Sequence, residues 1–194
     1  MDGLDEYLSV LQKLPLRRKQ GLLARCVMRA ALESASPPDF LYATTSAGRY
    51  NPENVESIYW SEDETVARFE YRRYHKGAET YETFFCRYSV HVVDLGDSNV
   101  VSALGLNSSD LWAHWRTATT PTKCQILGQA ISRQKRFAAI RFPSDAARVA
   151  GETGFNYVVF KASICDPSFI QVEMRRTHSE MAYGLEVSFL DFSP

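Results

Sequence analysis

The 194-residue sequence predicts a mixed α+β domain with a largely antiparallel sheet at its core. First, Phe84, Cys86, Tyr88, Val90 and Val92 alternate with other residues, and only an extended strand places such a set on one face. Second, further strand-length apolar runs follow, mixed with helix-start signals but without regular strand–helix–strand alternation. Third, aromatics are plentiful, with 10 Tyr, 11 Phe and 3 Trp, and such residues pack well on pleated surfaces.

The elements are expected in this order. Leu22, Leu23, Cys26, Val27, Ala30 and Ala31 recur at helical spacing, and Ser36-Pro37-Pro38 stops the helix. This predicts a helical extension over 1–36, packed on a domain over 37–194. Arg17, Arg18 and Lys19 near its start read as a solvated face. A short strand is expected at Phe40-Leu41-Tyr42, a polar loop over 44–52, and a second strand near Ser57-Ile58-Tyr59-Trp60. Ser61 with Glu64 three residues on has the form of a capping box, opening a helix from Glu62 to about Tyr74. The long strand spans Thr83 to Val93. Two helices follow, one from Ser109 or Asp110 and one from Thr120-Pro121, where proline suits the first helical position. Strands are expected again near 137–142, 156–162, 170–174 and 185–189.

Composition excludes several classes. With 45% hydrophobic and 23% charged residues the chain suits one soluble globular domain. A net charge of −1 supplies no broad basic field for nucleic acid or an anionic membrane. No apolar run approaches the roughly 20 residues of a membrane span. Cys26, Cys86, Cys124 and Cys165 are scattered without metal-ligand spacing, so no metal is expected. The acidic start, Met1-Asp2-Gly3-Leu4-Asp5-Glu6, lacks the basic region of a secretory leader, and reduced thiols in a cytoplasmic protein are the expected state.

Glu70 is the most informative residue. At about 100° per residue, Val66, Ala67, Tyr71 and Tyr74 form one apolar stripe, with Phe69 near its edge and Glu70 near its middle. A carboxylate turned inward costs several kcal/mol unless partnered. It is held by an Arg partner, by backbone amides or in the wall of a polar pocket, or else the helix is rotated so that Glu70 reaches the rim. Arg49 is its natural companion. It follows Gly48, whose lack of a side chain permits close backbone approach to a ligand, and a guanidinium binds phosphate in a bidentate manner.

These segments resemble the RES-domain family. The matching stretches are Ala47-Gly48-Arg49-Tyr50-Asn51-Pro52, then Ile58-Tyr59-Trp60-Ser61-Glu62-Asp63, then Ala67-Arg68-Phe69-Glu70. Downstream, Thr120-Pro121-Thr122, Phe142-Pro143-Ser144 with Ala147-Arg148, and Asn156-Tyr157-Val158-Val159-Phe160 continue the resemblance over roughly Phe40 to Ala162. The family's Arg, Glu and Ser correspond to Arg49, Glu70 and Ser144. One departure stands out: the family has an arginine just after its first strand, and Ala43 occupies that place, while Arg29 falls in the expected N-terminal helix.

The resemblance implies an ADP-ribosyltransferase-like fold and breakdown of NAD⁺ by phosphorolysis or hydrolysis, or ADP-ribosylation of a protein. It also implies a toxin of a type II toxin–antitoxin pair, with an Xre-like antitoxin as partner. A catalytically inactive binding module is the alternative of another class. In the NAD⁺ reading Glu70 stabilises positive charge on the ribose, Tyr59 offers nicotinamide an aromatic platform, Arg49 holds pyrophosphate, and Tyr50 and Gly48 help line the pocket. Ser144 either bonds the substrate or caps the short helix that follows it.

Overall fold

The computed structural model describes residues 3–34, 45–75, 80–178 and 189–191. Seven strands run β1 Arg18–Met28, β2 Ser57–Ser61, β3 Tyr81–Asp94, β4 Ala139–Pro143, β5 Phe155–Phe160, β6 Phe169–His178 and β7 Phe189–Asp191. Seven helices are interspersed: α1 Gly3–Lys13, α2 Arg29–Ser34, α3 Glu64–Tyr74, α4 Ser98–Ala103, α5 Ser108–Leu111, α6 Lys123–Gln134 and α7 Asp145–Val149. The result is α+β with a mostly antiparallel sheet and flanking helices. Among the described residues only β3 with β4 pairs in parallel.

The sheet order is β1-β2-β5-β4-β3-β6-β7, with β1 also paired to β3. The long β3 makes this possible. It lies between β1 and β6 along most of its length, and its last residues, Val92, Val93 and Asp94, pair with β4. The pairings β1-β2-β5-β4-β3 therefore close on themselves. Closure is barely complete at one point, since β1 meets β2 through the single pair Ala24↔Ser61. Beyond that bridge the two strands part.

Period-two alternation sorts the side chains into two cores. From β4 and β5, Ile140, Phe142, Val158 and Phe160 face α1 and α6, meeting Leu11, Leu127 and Ile131. From the other face, Ile58, Trp60, Tyr157 and Val159 meet Leu23, Phe84, Cys86, Tyr88 and Val90 of the β1–β3 layer. The alternating residues of β3 thus fill the space between the two halves of the sheet, as their spacing predicts. Asp110 and Arg136 tie outlying pieces down. Arg136 donates to the carbonyls of Gln12 and Leu14 behind α1, while the Asp110 carbonyl accepts from Cys124 Sγ.

Several expected elements differ. Residues 22–28 are not helical but form most of β1, an eleven-residue ladder on β3 running from Arg18↔His91 to Met28↔Tyr81. Apolar pairs at one- and four-residue spacing satisfy a helical pattern, and a partner sixty residues away overrides it. Helix precedes this strand instead, over Gly3–Lys13, where Tyr7 and Leu11 are buried, and Ala30 and Ala31 fall in the short α2. The N-terminal segment is therefore part of the sheet as well as a packed helix. The N-cap of α3 is Asp63, whose side chain accepts from the Val66 N–H at 2.9 Å, rather than Ser61. Ser61 is still a residue of β2. Likewise α6 is capped by Thr122 with Gln125 in a reciprocal box, so Pro121 lies before the helix. The strand expected at 40–42 and most of that expected at 185–189 lie outside the described residues.

Candidate active site

A cavity of about 420 Å³ opens where β1 and β2 part. β1 contributes Ala24, Arg25 and Cys26, β2 contributes Tyr59, Trp60 and Ser61, and the 46–49 loop closes one side. From α3, Glu70 looks in at the inner end and Tyr74 stands at the mouth, one helical turn or about 6 Å further along.

The loop is held by neighbours on β2 and α6. Tyr59 donates its phenol hydrogen to Asn51 Oδ1 at 2.8 Å and accepts from the Tyr50 N–H at 2.9 Å. Gln125 of α6 donates to the Gly48 carbonyl at 2.9 Å. A Cβ on Gly48 would lie 2.5 Å from both Asn51 Oδ1 and the Tyr59 hydroxyl, so that contact, beyond any ligand, requires glycine. A Cβ on Gly128 would lie 1.6 Å from the Tyr50 carbonyl oxygen, which shows how closely α6 supports the loop. Burial pushes the Tyr59 phenol well above the ordinary tyrosine range, against the opposing pull of the Tyr50 N–H and Arg49. Tyr59 therefore stays neutral and serves as a strut as well as a wall.

Glu70 is half-buried and has no arginine partner among the described residues. Its Oε1 accepts from Ser144 Oγ at 2.7 Å and from Asn156 Nδ2 at 2.6 Å. Ser61 Oγ donates to Asn156 Oδ1 at 2.8 Å, which orients the amide with its NH₂ toward the carboxylate. Ser144 Oγ in turn accepts from the Ala147 N–H at 3.1 Å. One hydroxyl thus caps α7, which is one of the two readings of Ser144, and its other bond goes to Glu70. Neutral donors fix the carboxylate without cancelling its charge, and both converge on Oε1, leaving Oε2 for another group.

Around it the cavity is cationic. Arg49 rests near the Trp112 ring at 5.9 Å, with Nη1 3.4 Å from the Leu111 carbonyl. Arg25 donates to the Tyr59 carbonyl at 3.2 Å, across the gap where β1 and β2 no longer pair. Burial pushes its guanidinium down to about 10, so it remains a cation at neutral pH. Neither has a carboxylate partner among the described residues, whereas Arg73 at the rim is paired with Asp145.

Arg49, Glu70, Tyr59 and Gly48 thus line one cavity. Tyr50 does not. It is 1% exposed and packs against Phe142 with ring centroids 4.2 Å apart, because its backbone turns the ring toward α6 and the core. Ser144, also buried, reaches the cavity only through Glu70. Two residues escaped the sequence reading. Asn156 stood in a stretch that carries the family resemblance, but nothing local marked it as a partner of Glu70. Arg25 was hidden by the helical reading of 22–31. The first strand of the sheet is β1, and Arg25 lies within it, upstream of position 43. Among the described residues no three His, Cys, Asp or Glu side chains gather as a metal site needs. All four cysteines are free thiols, and no described helix is long and apolar enough to cross a membrane.

No curated protein matches the chain in sequence. The family model of the RES domain matches residues 23–179, which takes in the second half of β1, the whole cavity and all of β6. That span is well over half of the sequence, and the chain belongs to the RES domain family.

Proposed function

We propose that this protein cleaves the nicotinamide–ribose bond of NAD⁺ in an ADP-ribosyltransferase-like site, as the toxin of a type II toxin–antitoxin pair. The observation that carries this reading is a carboxylate held by neutral donors beside two arginines that no carboxylate neutralises. Such a pocket matches a ligand with a pyrophosphate at one place and developing positive charge at another. NAD⁺ has both.

In this reading Arg25 and Arg49 hold the pyrophosphate through charge-assisted hydrogen bonds. Nicotinamide leaves with the electron pair of the glycosidic bond, and positive charge develops on the ribose. Glu70 stabilises that charge, held in place beforehand by Ser144 and Asn156 so that it need not reorganise as the bond breaks. Tyr59 forms the wall against which the nicotinamide packs. Attack by phosphate then gives ADP-ribose-1″-phosphate, and attack by water gives ADP-ribose. The Xre-like antitoxin would act by covering the cavity, a role taken from family resemblance rather than from residue chemistry.

The test is incubation of the purified protein with NAD⁺, with and without phosphate and with cell extract. Release of nicotinamide is the expected result, and the accompanying product identifies the acceptor. Labelled protein would indicate transfer to a macromolecule. No turnover under any condition, from folded protein, would leave an inert binding module. In cells, expression without the antitoxin is expected to lower NAD⁺ and arrest growth.

A further inference from the structure

The mouth of the cavity holds a group of side chains that the cleavage chemistry does not use. Tyr74, at the last position of α3, is 52% exposed. Facing it is the 3-10 turn Trp115–Thr117, which begins two charged or aromatic residues at the rim, Trp115 and Arg116. The Arg116 guanidinium lies 5.1 Å from the Tyr74 ring centre and 4.7 Å from that of Trp115. It has no carboxylate partner among the described residues. An exposed tyrosine, a half-buried tryptophan and an exposed, unneutralised cation therefore stand together at the mouth, with Tyr74 one helical turn along α3 from Glu70.

This is an unusual way to leave three side chains unless something docks there. A rim tyrosine, a half-buried tryptophan and a long cation gain little from one another, since a cation–π contact near the surface is worth only about 0.5–1 kcal/mol. The chemistry of the group is specific: flat faces for a planar base and a guanidinium for the phosphate attached to it. We propose that Tyr74, Trp115 and Arg116 form a subsite for the adenylate half of the dinucleotide, with the adenine stacked on the aromatic faces and Arg116 on the adjoining phosphate. The identity of the ligand rests on the NAD⁺ reading above. The subsite would set preference for the dinucleotide over nicotinamide mononucleotide, which has the reacting bond but no adenylate.

The experiment titrates AMP into the wild-type protein, Trp115→Ala and Arg116→Ala by calorimetry, and compares turnover of NAD⁺ with that of nicotinamide mononucleotide. AMP affinity is expected to fall about tenfold in each variant, the scale of one base-stacking or phosphate contact. KM for NAD⁺ should rise about as much with little change in kcat, while kcat/KM for the mononucleotide moves less than about threefold, because binding lost far from the reacting bond acts through the ground state. Trp115→Phe, which keeps a flat face, should recover most of the loss. Equal AMP affinity in all variants, or equal losses for both substrates, would overturn the subsite. Should the wild type cleave neither substrate, the NAD⁺ reading fails, and the AMP titration still decides the subsite on its own.

Discussion

Two carboxylate–arginine regions sit back to back on β4 and β5, and they are built on opposite plans. On one side Arg141 is held between Asp94 at 3.0 Å and Glu62 at 3.1 Å, with its guanidinium 3.4 Å from the Phe155 ring centre. Glu62 also accepts from the Phe155 N–H at 2.9 Å. Every charge there meets an opposite charge or a hydrogen-bond partner. On the other side, one residue further along each strand, Phe142 and Asn156 face the cavity. There Glu70 receives only neutral donors, and Arg25 and Arg49 meet no carboxylate. A closed cluster holds the fold together, whereas an open one has capacity left for a ligand. The difference lies in the choice of partners, since the residue types are the same.

The sharpest way to break this contrast is to exchange function for stability at each site. Glu70→Gln keeps the shape and the bonds to Ser144 and Asn156 within reach of an amide, but removes the charge. Turnover is expected to fall about 10²–10³-fold, with a much smaller change in NAD⁺ affinity and in melting temperature. Near-wild-type turnover per folded molecule would remove Glu70 from the mechanism.

Arg141→Ala should do the reverse. It leaves Glu62 without its cation and Asp94 with only Lys19, 3.5 Å away, and a loss of about 3 kcal/mol in denaturant unfolding is expected. Turnover of the molecules that remain folded should be unchanged. A drop in turnover without loss of stability would mean that the two regions are coupled through β4 and β5.

Arg25→Ala comes next. Losing one charge-assisted phosphate contact is expected to weaken ADP-ribose binding about 10- to 100-fold. Unaltered affinity would make Arg25 a strut for the Tyr59 carbonyl and nothing more. The smallest effect is expected at Ser144→Ala, which removes a helix cap worth about 1 kcal/mol and one of two donors to Glu70. A modest loss of stability accompanied by a loss of turnover would show that the hydroxyl serves both ends of its chain, while a stability change alone would confine it to the cap.

Local chemistry made much of this legible. The alternation from Phe84 to Val92 describes a buried strand face because pleating leaves no other option. The inward carboxylate of α3 was visible because helical geometry places Glu70 beside Val66, Ala67 and Tyr71. Tyr74 belongs to the same stripe by angle, yet it is exposed, because the packed layers end before the last turn of α3 reaches them. Tyr50 was placed in the cavity by its neighbours in the loop and went to the core instead. Tyr59 was read as an aromatic surface, and its hydroxyl proved equally important, because Asn51 and the Tyr50 backbone converge on it.

The sequence by itself determined the class of the fold, the family, and the inward carboxylate of α3, since these depend on periodicity, short motifs and side-chain chemistry. It could not determine that residues 18–28 form a strand. Their apolar spacing suits helix and strand alike, and the choice is made by an eleven-residue ladder on β3. With that strand in place, Arg25 arrives in the cavity. Only the closed ring of strands brings Asn156 and Ser144 to Glu70 from 86 and 74 residues away. Hydrogen bonds over such separations carry no local pattern, and they decide whether a carboxylate is neutralised or left charged for a ligand.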